Sequence, residues 1–400
     1  MSTAVATASP VRAINARHAG WGGIALGVVA WFIALPPALV RTPVPSILIG
    51  LLAIVAGAWA IAGHERRLGW GAIASGLIGG TGAVAATQSG VGNLEDVVTW
   101  SALIAATLRF ATPLTLAALG GIVSERSGVI NVGLEGMMLM GAFFGIFGAD
   151  LFDSWFLGLL VGMVAGGVLA LVHAFFAIAL RADQVVSGMA LNFLALGITG
   201  YVFLDHYGDQ GTPDNIPRVP DISIPGVKDI GFVGDAIGRA NLLTWLALIG
   251  VVVLAVYLFR TPSGLRLRSV GEHPRAAETV GISVPRTRYA AVVVSGMLAA
   301  MGGAYLSIAF VGSFNQGMTA GRGFIALAAV IFGNWRPYGA LAAALLFGFS
   351  SALAQRLPAF SPSSAVLFQA LPYVLTLIAV AGVIGRSRPP AAVGQPYVKE

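Results

Sequence analysis

"SGVINVGLEGMMLMGAFFG", residues 127–145, decides the fold. The stretch is apolar enough to sit in lipid, yet Asn131 and Glu135 fall near its centre. A charge at the middle of a bilayer costs roughly 2.5 kcal/mol or more, so the carboxylate needs a partner or a task. If 129–148 is one helix, Asn131 and Glu135 share a face, four residues apart, with Met138 beside them. Two uses of Glu135 then stand open. It pairs with Arg109 of the preceding span or caps the backbone donors of a broken helix. Alternatively, with Asn131, it lines a polar path, where carboxylate and amide oxygens accept hydrogens from a substrate.

The surroundings of this stretch make it one of many. Of 400 residues, 57% are hydrophobic and 10% charged, against about a quarter charged in soluble domains; the mean hydropathy is +0.84. Apolar runs at 21–40, 44–62, 155–180, 242–259, 289–311 and 366–384 reach the roughly 20 residues that cross a bilayer as helix. They are too long and continuous for barrel strands. The expected fold is all-α, a polytopic membrane bundle of ten to twelve transmembrane helices. Arg12, Arg17 and His18 before the first run resemble a signal peptide, but the run is long and lacks a small-x-small cleavage site, so it reads as a retained helix.

Basic loops set the expected orientation. Further spans are read at 69–87, 100–122, 129–148 and 184–203, with 323–356 broken at "GNWRPYG" into two crossings or a re-entrant pair. "HERR" (64–67), "SERSG" (124–128), Arg181 and Arg386 then fall on the inner side, with both termini cytoplasmic. Residues 204–240 carry six Asp, four Pro and six Gly against Arg218, Lys228 and Arg239, and read as an external loop. Residues 260–288 carry six Arg against Glu272 and Glu278, and read as cytoplasmic. Gly158, Gly162 and Gly166 form one small-residue face, as do Gly76 and Gly80, which suits close helix packing.

Several classes are excluded. There is no cysteine, hence no disulfide, thiol catalysis or thiolate metal site. His173 is a lone core histidine, and no metal is expected. In a membrane protein the net charge of +6 belongs to inner loops rather than to a nucleic-acid partner. The only lysines, Lys228 and Lys399, are followed by Asp229 and Glu400, so no Gly-Lys-Ser/Thr phosphate-binding loop exists. The chain is not expected to be an enzyme or to hydrolyse ATP.

The most informative polar stretch is "GEHPRAAETVGI" (271–282). Pro274 suits a first helical position, "RAAE" favours helix through Glu278, and Gly281 stops it. A helix of two turns is not stable alone in water and needs a surface to dock on. This segment resembles the coupling helix of ABC-transporter permease subunits in the ribose and branched-chain amino-acid permease superfamily. With "SERSGVINVGLEGMMLMGAFFG" (124–145) and "ADQVVSGMALNFLALGITGY" (182–201), the chain is most similar to the bacterial nucleoside importer permeases. The resemblance covers about 100–385 and divides the chain into a cytoplasmic tail (1–20), extra helices (21–90), the permease domain (91–385) and a second cytoplasmic tail (386–400).

That resemblance implies a permease subunit in the bacterial cytoplasmic membrane that moves nucleosides by alternating access. It implies three partner chains: an ABC ATPase that binds the ATP, a second homologous permease, and an extracytoplasmic substrate-binding lipoprotein. Gly271, Glu272, Pro274, Ala276, Ala277, Glu278 and Gly281 become the ATPase-coupling residues. Asn131, Glu135, Asn192 and Phe193 become substrate-path candidates, since an amide pairs with a base edge and an aromatic ring stacks on a base; Phe193 equally reads as a lipid or core contact. Alternatives are a permease for ribose-type sugars or branched-chain amino acids, and an ion-coupled secondary transporter built on Glu135, Arg109, His173 and the break at 333–337. An intramembrane enzyme would need paired Asp residues or a His-Glu-x-x-His run, and neither occurs.

Overall fold

The computed structural model describes residues 10–34, 44–88, 100–223, 225–226, 234, 238–356 and 388–398. The expected span at 366–384 lies outside them, as do Lys228, Arg386 and Lys399. Contacts divide the chain into two compact units, residues 1–103 with 353–371 and residues 104–352 with 372–400.

The first unit contains α1 (Pro10–Ala34), α2 (Val44–Ala62) and α3 (Arg66–Gln88), which pack on one another. Helix α1 begins at Pro10 rather than Trp21, so half of the expected N-terminal tail is helical. Small residues face inward: a Cβ at Gly50 would lie 2.7 Å from the Gly76 carbonyl oxygen, and one at Gly57 would lie 2.6 Å from that of Gly69. Trp21, Trp59 and Trp70 point outward, each more than half exposed.

The second unit is built on α4 (Trp100–Arg126), α5 (Leu134–Leu151), α6 (Trp155–Ala174), α7 (Gln184–Tyr207), α8 (Leu242–Arg260), α9 (Pro262–Glu272), α10 (Pro274–Thr279), α11 (Val284–Ala304), α12 (Arg322–Phe332) and α13 (Pro337–Arg356). Helices α4 and α13 each continue across the unit boundary. Helix α6 runs on into a π-helical turn at Phe175–Ala179, and α11 into another at Tyr305–Val311. A two-stranded antiparallel pair, β1 (Asp221–Ser223) with β2 (Arg239–Asn241), sets Ile222 opposite Ala240. Among the described residues, eight helices are long and apolar enough to cross a membrane: α2, α4, α5, α6, α7, α8, α11 and α13. The protein is therefore an all-α polytopic membrane protein.

Helices α5, α6 and α11 form the packed centre. The stripe expected on α6 is its contact face. A Cβ at Gly158 would meet the Gly145 carbonyl, one at Gly162 would lie 2.8 Å from the Gly141 carbonyl oxygen, and one at Gly166 would meet the Ala300 methyl. Without a hydrophobic drive between helices in lipid, such backbone-to-backbone contact supplies the association energy. Phe143 fills the centre, edge-on to Phe314 at 5.1 Å between ring centroids.

We expect Gly162→Leu to abolish the monodisperse peak in detergent size-exclusion chromatography, because two backbones would have to separate. Val164→Leu, on the outward face of the same helix, should leave the peak intact.

Candidate functional site

The quoted stretch is not one helix. Helix α4 ends at Arg126, Gly128 turns the chain at φ +96°, and α5 starts only at Leu134. Residues 129–133 are non-helical, although Val129 and Asn131 are fully buried. Asn131 therefore lies before the helix and Glu135 within its first turn, which corrects the expectation of a shared helical face. Glycines at 128 and 133 bracket the break, and the β-branched residues Val129, Ile130 and Val132 suit an extended backbone.

Non-helical backbone inside a bundle survives only if its polar groups find partners, and here neighbouring helices supply them. The Ser124 hydroxyl donates to the Val129 carbonyl at 2.7 Å. Ile130 N–H donates to Gln184 Oε1 at 2.8 Å, and the Ile130 carbonyl accepts from His173 Nε2 at 2.9 Å. Because a carbonyl can only accept, Nε2 carries the proton, and Nδ1 faces the Ser187 hydroxyl at 3.2 Å. Asn192 closes the far side: its Nδ2 donates to the Val132 carbonyl at 3.1 Å, and its Oδ1 accepts from Gly136 N–H at 2.8 Å. Asn131 Nδ2 donates to Ser295 Oγ of α11 at 2.9 Å, while its buried Oδ1 has no hydrogen-bond partner among the described residues. His173 is thus a fully buried structural histidine.

Glu135 reaches across to α12, accepting from Gly321 N–H at 2.8 Å and Gly323 N–H at 2.6 Å. Helix α12 has 11 residues, about 16 Å at 1.5 Å per residue, and so is too short for a hydrocarbon core of about 30 Å. Its N-terminal N–H groups would be orphans inside the bundle, and the carboxylate satisfies two of them while complementing the helix dipole. The same carboxylate sits in the first turn of α5, so two positive helix ends share it. Of the two structural partners left open by the sequence, the capped helix end holds. The pairing with Arg109 does not, for no ion pair joins them among the described residues. The broken region 323–356 is this short helix, a corner and α13. At the corner Asn334 and Trp335 have φ of +52° and +53°, with Trp335 held by Glu125 through its indole and by Arg126 Nη2 at 2.9 Å to its carbonyl. Phe193 is 69% exposed on α7, pointing away from the break.

The basic loop is more structured than expected. Helix α9 was not foreseen, although Thr261 followed by Pro262 is a start signal: the Thr261 hydroxyl accepts from Gly264 N–H at 3.1 Å, with proline at the first position. The expected coupling helix is α10, closed by Gly281 at φ +84°. Its residues divide in two. Gly271 is buried against the backbone of Arg126, and Glu272 Oε1 lies 3.9 Å from Arg126 Nη1. Ala277 packs with Val270 and Val284, and Glu278 accepts from the Tyr397 hydroxyl. His273, Ala276, Val280 and Gly281 face outward, Val280 being 74% exposed. Arg288, read as a loop cation, is instead buried at the foot of α11, donating through Nε to the Ser127 carbonyl at 3.2 Å.

Two cavities lie between the same three helices, α4, α8 and α11. Beside the β1–β2 pair a polar pocket of about 210 Å³ is lined by Arg109, Asp221, Asn241, Thr244, Tyr305 and Phe310. Toward α9 an apolar cleft of about 740 Å³ is lined by Leu119, Leu254, Tyr257 and Met301, with Arg266 and Arg286 also in its wall. Sequence reading missed the polar pocket because Tyr305 and Phe310 meet there through a π-helical turn, which has no sequence period. Asn241 carried the one legible signal, an asparagine ahead of an apolar run; its Oδ1 caps α8 at Leu243 N–H, 3.0 Å away.

Asn192→Leu would leave the Val132 carbonyl and the Gly136 N–H unpaired in an apolar site, at about 1–3 kcal/mol for each group. We expect a clear fall in the detergent melting temperature. Glu135→Gln should lower it as well, by replacing an acceptor with a donor facing N–H groups. Phe193→Leu should leave it unchanged.

Comparison with known sequences places this architecture. Residues 103–380 match the family described as branched-chain amino acid transport system permease components. The guanosine ABC transporter permease protein NupQ of Bacillus subtilis (strain 168) is 45% identical over 76% of this chain and 99% of its own length. The nucleoside ABC transporter permease protein NupC of Lactococcus lactis subsp. cremoris (strain MG1363) is 39% identical, with the same coverage of both chains. A putative glucose ABC transporter permease protein, TsgC13 of Haloferax volcanii, is 41% identical over 64% of this chain and 77% of its own. No solved structure matches. With the match covering the break, the coupling loop and most of the bundle, the chain belongs to the family of branched-chain amino acid transport system permease components.

Proposed function

We propose that this protein is the membrane-spanning permease subunit of an ATP-driven importer of nucleosides. The observation that carries the reading is end-to-end similarity, over 99% of their length, to relatives named for guanosine and nucleoside transport. The sugar reading, favoured by the glucose permease relative, is the runner-up. The chain lacks a phosphate-binding loop, so the ATP is bound by a separate ATPase chain. A second permease completes the membrane core, and an extracytoplasmic lipoprotein delivers substrate to the outer loop. Both termini face the cytoplasm, in keeping with the basic 260–288 loop.

In this reading α10 is the knob the ATPase grips. Its buried side is fastened by Ala277 and Glu278, and its outward side presents Ala276 and the exposed apolar Val280. Nucleoside passes along the α4–α8–α11 trough, where Arg109, Asp221, Asn241 and Tyr305 offer donors, acceptors and a ring at the outer mouth. Of the four substrate-path residues named from the sequence, Asn131 keeps a free acceptor. Glu135 and Asn192 serve the path by holding the break, and Phe193 meets lipid.

Cells lacking this chain should lose uptake of labelled guanosine, adenosine or uridine and keep that of ribose, glucose and leucine. Loss confined to sugar or leucine would overturn the substrate assignment. Val280→Asp would bury an unpaired carboxylate at the interface, worth about 2 kcal/mol or more. We expect it to insert normally but to lose most of the ATPase in co-purification; full retention would remove α10 as the docking point.

A further inference from the structure

Residues 388–398 form a strap bonded to the α12–α13 corner, to the residues ahead of α10, to Gly128 and to α10 itself. Arg388 N–H donates to Asn334 Oδ1 at 2.9 Å, at the α12–α13 corner. Ala391 N–H donates to Glu272 Oε2 at 3.1 Å, and Ala392 N–H to the Gly271 carbonyl at 2.9 Å, just ahead of α10. Gly394 N–H donates to the Gly128 carbonyl at 3.1 Å, at the mouth of the break. The buried Arg288 donates through Nη1 to the Gln395 carbonyl at 3.0 Å. Tyr397 packs on the Val270–Ala277–Val284 cluster and donates its hydroxyl to Glu278 of α10.

The strap is also stiff and closely seated. Pro389, Pro390 and Pro396 restrict its backbone. Gly394 sits at φ +77°, where an added Cβ would lie 2.9 Å from the Ile130 side chain inside the break. One short segment thus joins the back of α10 to the unwound segment 129–133.

We propose that this strap is the mechanical link between α10 and the buried α4–α5 connection at 129–133, and that Tyr397 is the positioning residue that ties it to the coupling helix. The proposal rests on α10 being the ATPase docking point. When the ATPase moves α10, Glu278 carries Tyr397 with it, and the displacement reaches Gly128 and Ile130 through the seated strap. Direct packing of α10 on α11 supports the knob; the strap routes its motion to the break.

The test uses the full chain co-expressed with the ATPase, second permease and binding protein of its own system, reconstituted in vesicles. Co-purified ATPase, ATP hydrolysis and guanosine uptake are measured on the same preparation. Tyr397→Phe removes only the hydroxyl. It should leave co-purification and hydrolysis unchanged and lower uptake per ATP about tenfold, the factor carried by one hydrogen bond to a charged group. A chain ending at residue 387 should be lower still. Unchanged uptake per ATP in Tyr397→Phe overturns the link. A parallel loss of ATPase binding also overturns it, since the strap would then only shape the docking surface. Val280→Asp, run alongside, separates the two readings. If it keeps both ATPase and uptake, the docking assignment fails. If it loses both while Tyr397→Phe behaves as wild type, docking stands and the strap is a passive brace.

Discussion

Everything in the permease unit answers to one constraint: an N–H or C=O inside an apolar bundle must have a partner. The segment 129–133, which joins α4 to α5, is buried without a helical ladder of its own, and its repair recruits α4, α6, α7 and α11. Ser124, His173, Gln184, Asn192 and Ser295 are each used by it. The short α12 poses the same problem at its N-terminus, and Glu135 answers it. These polar residues are few, and each is fixed by a backbone group or side chain on another element. That specifies helix order and register in a way that the non-directional contacts of Leu and Val cannot.

The spans were legible because length and apolarity alone set them: 44–62 is α2 as read, and 155–180 is α6 with its π-helical turn. The break was not legible, because "GVINVG" is as apolar as a helix and only its bracketing glycines differ. A helix through 129–133 would set Asn131 and Glu135 on a common face, which the start of α5 at Leu134 denies them. The charge was more informative: a carboxylate among apolar residues requires a partner, and Glu135 has one in the N–H groups at the start of α12. Arg288 shows the limit of counting loop charges, because a cation at a span boundary can be a buried donor to carbonyls. The strap at 388–398 has no periodicity at all; its conformation is set by what it binds.

Between these polar ties the packing leaves little slack. Helices α5, α6 and α11 meet through glycine and alanine, with backbone against backbone at Gly162 and against the Ala300 methyl at Gly166. Interfaces of this kind shift between discrete arrangements rather than deform continuously. The helical ladder is interrupted at the break, at the π-helical turns at 175–179 and 305–311, and at the corner at 333–336. The π-helical turn at 305–311 is also where the 204–240 loop is fastened, since Val219 N–H donates to the Ile308 carbonyl at 3.0 Å.

A hinge inside lipid carries a requirement that a hinge in water does not. Each hydrogen bond that opens must be replaced during the movement, or the opened groups cost several kcal/mol. The break holds spare capacity for such an exchange. Asn131 Oδ1 and Gln184 Nε2 are buried at its two sides without partners among the described residues, one an acceptor and the other a donor. Both belong to side chains whose other amide atom is already engaged with the break or its neighbour, Asn131 through Ser295 and Gln184 through Ile130. An amide with one atom anchored and the other free can take up a new backbone partner without first giving up the old one. In the alternating-access reading these buried unsatisfied atoms, a defect in a static core, are the partners to which the segment 129–133 would hand over its hydrogen bonds.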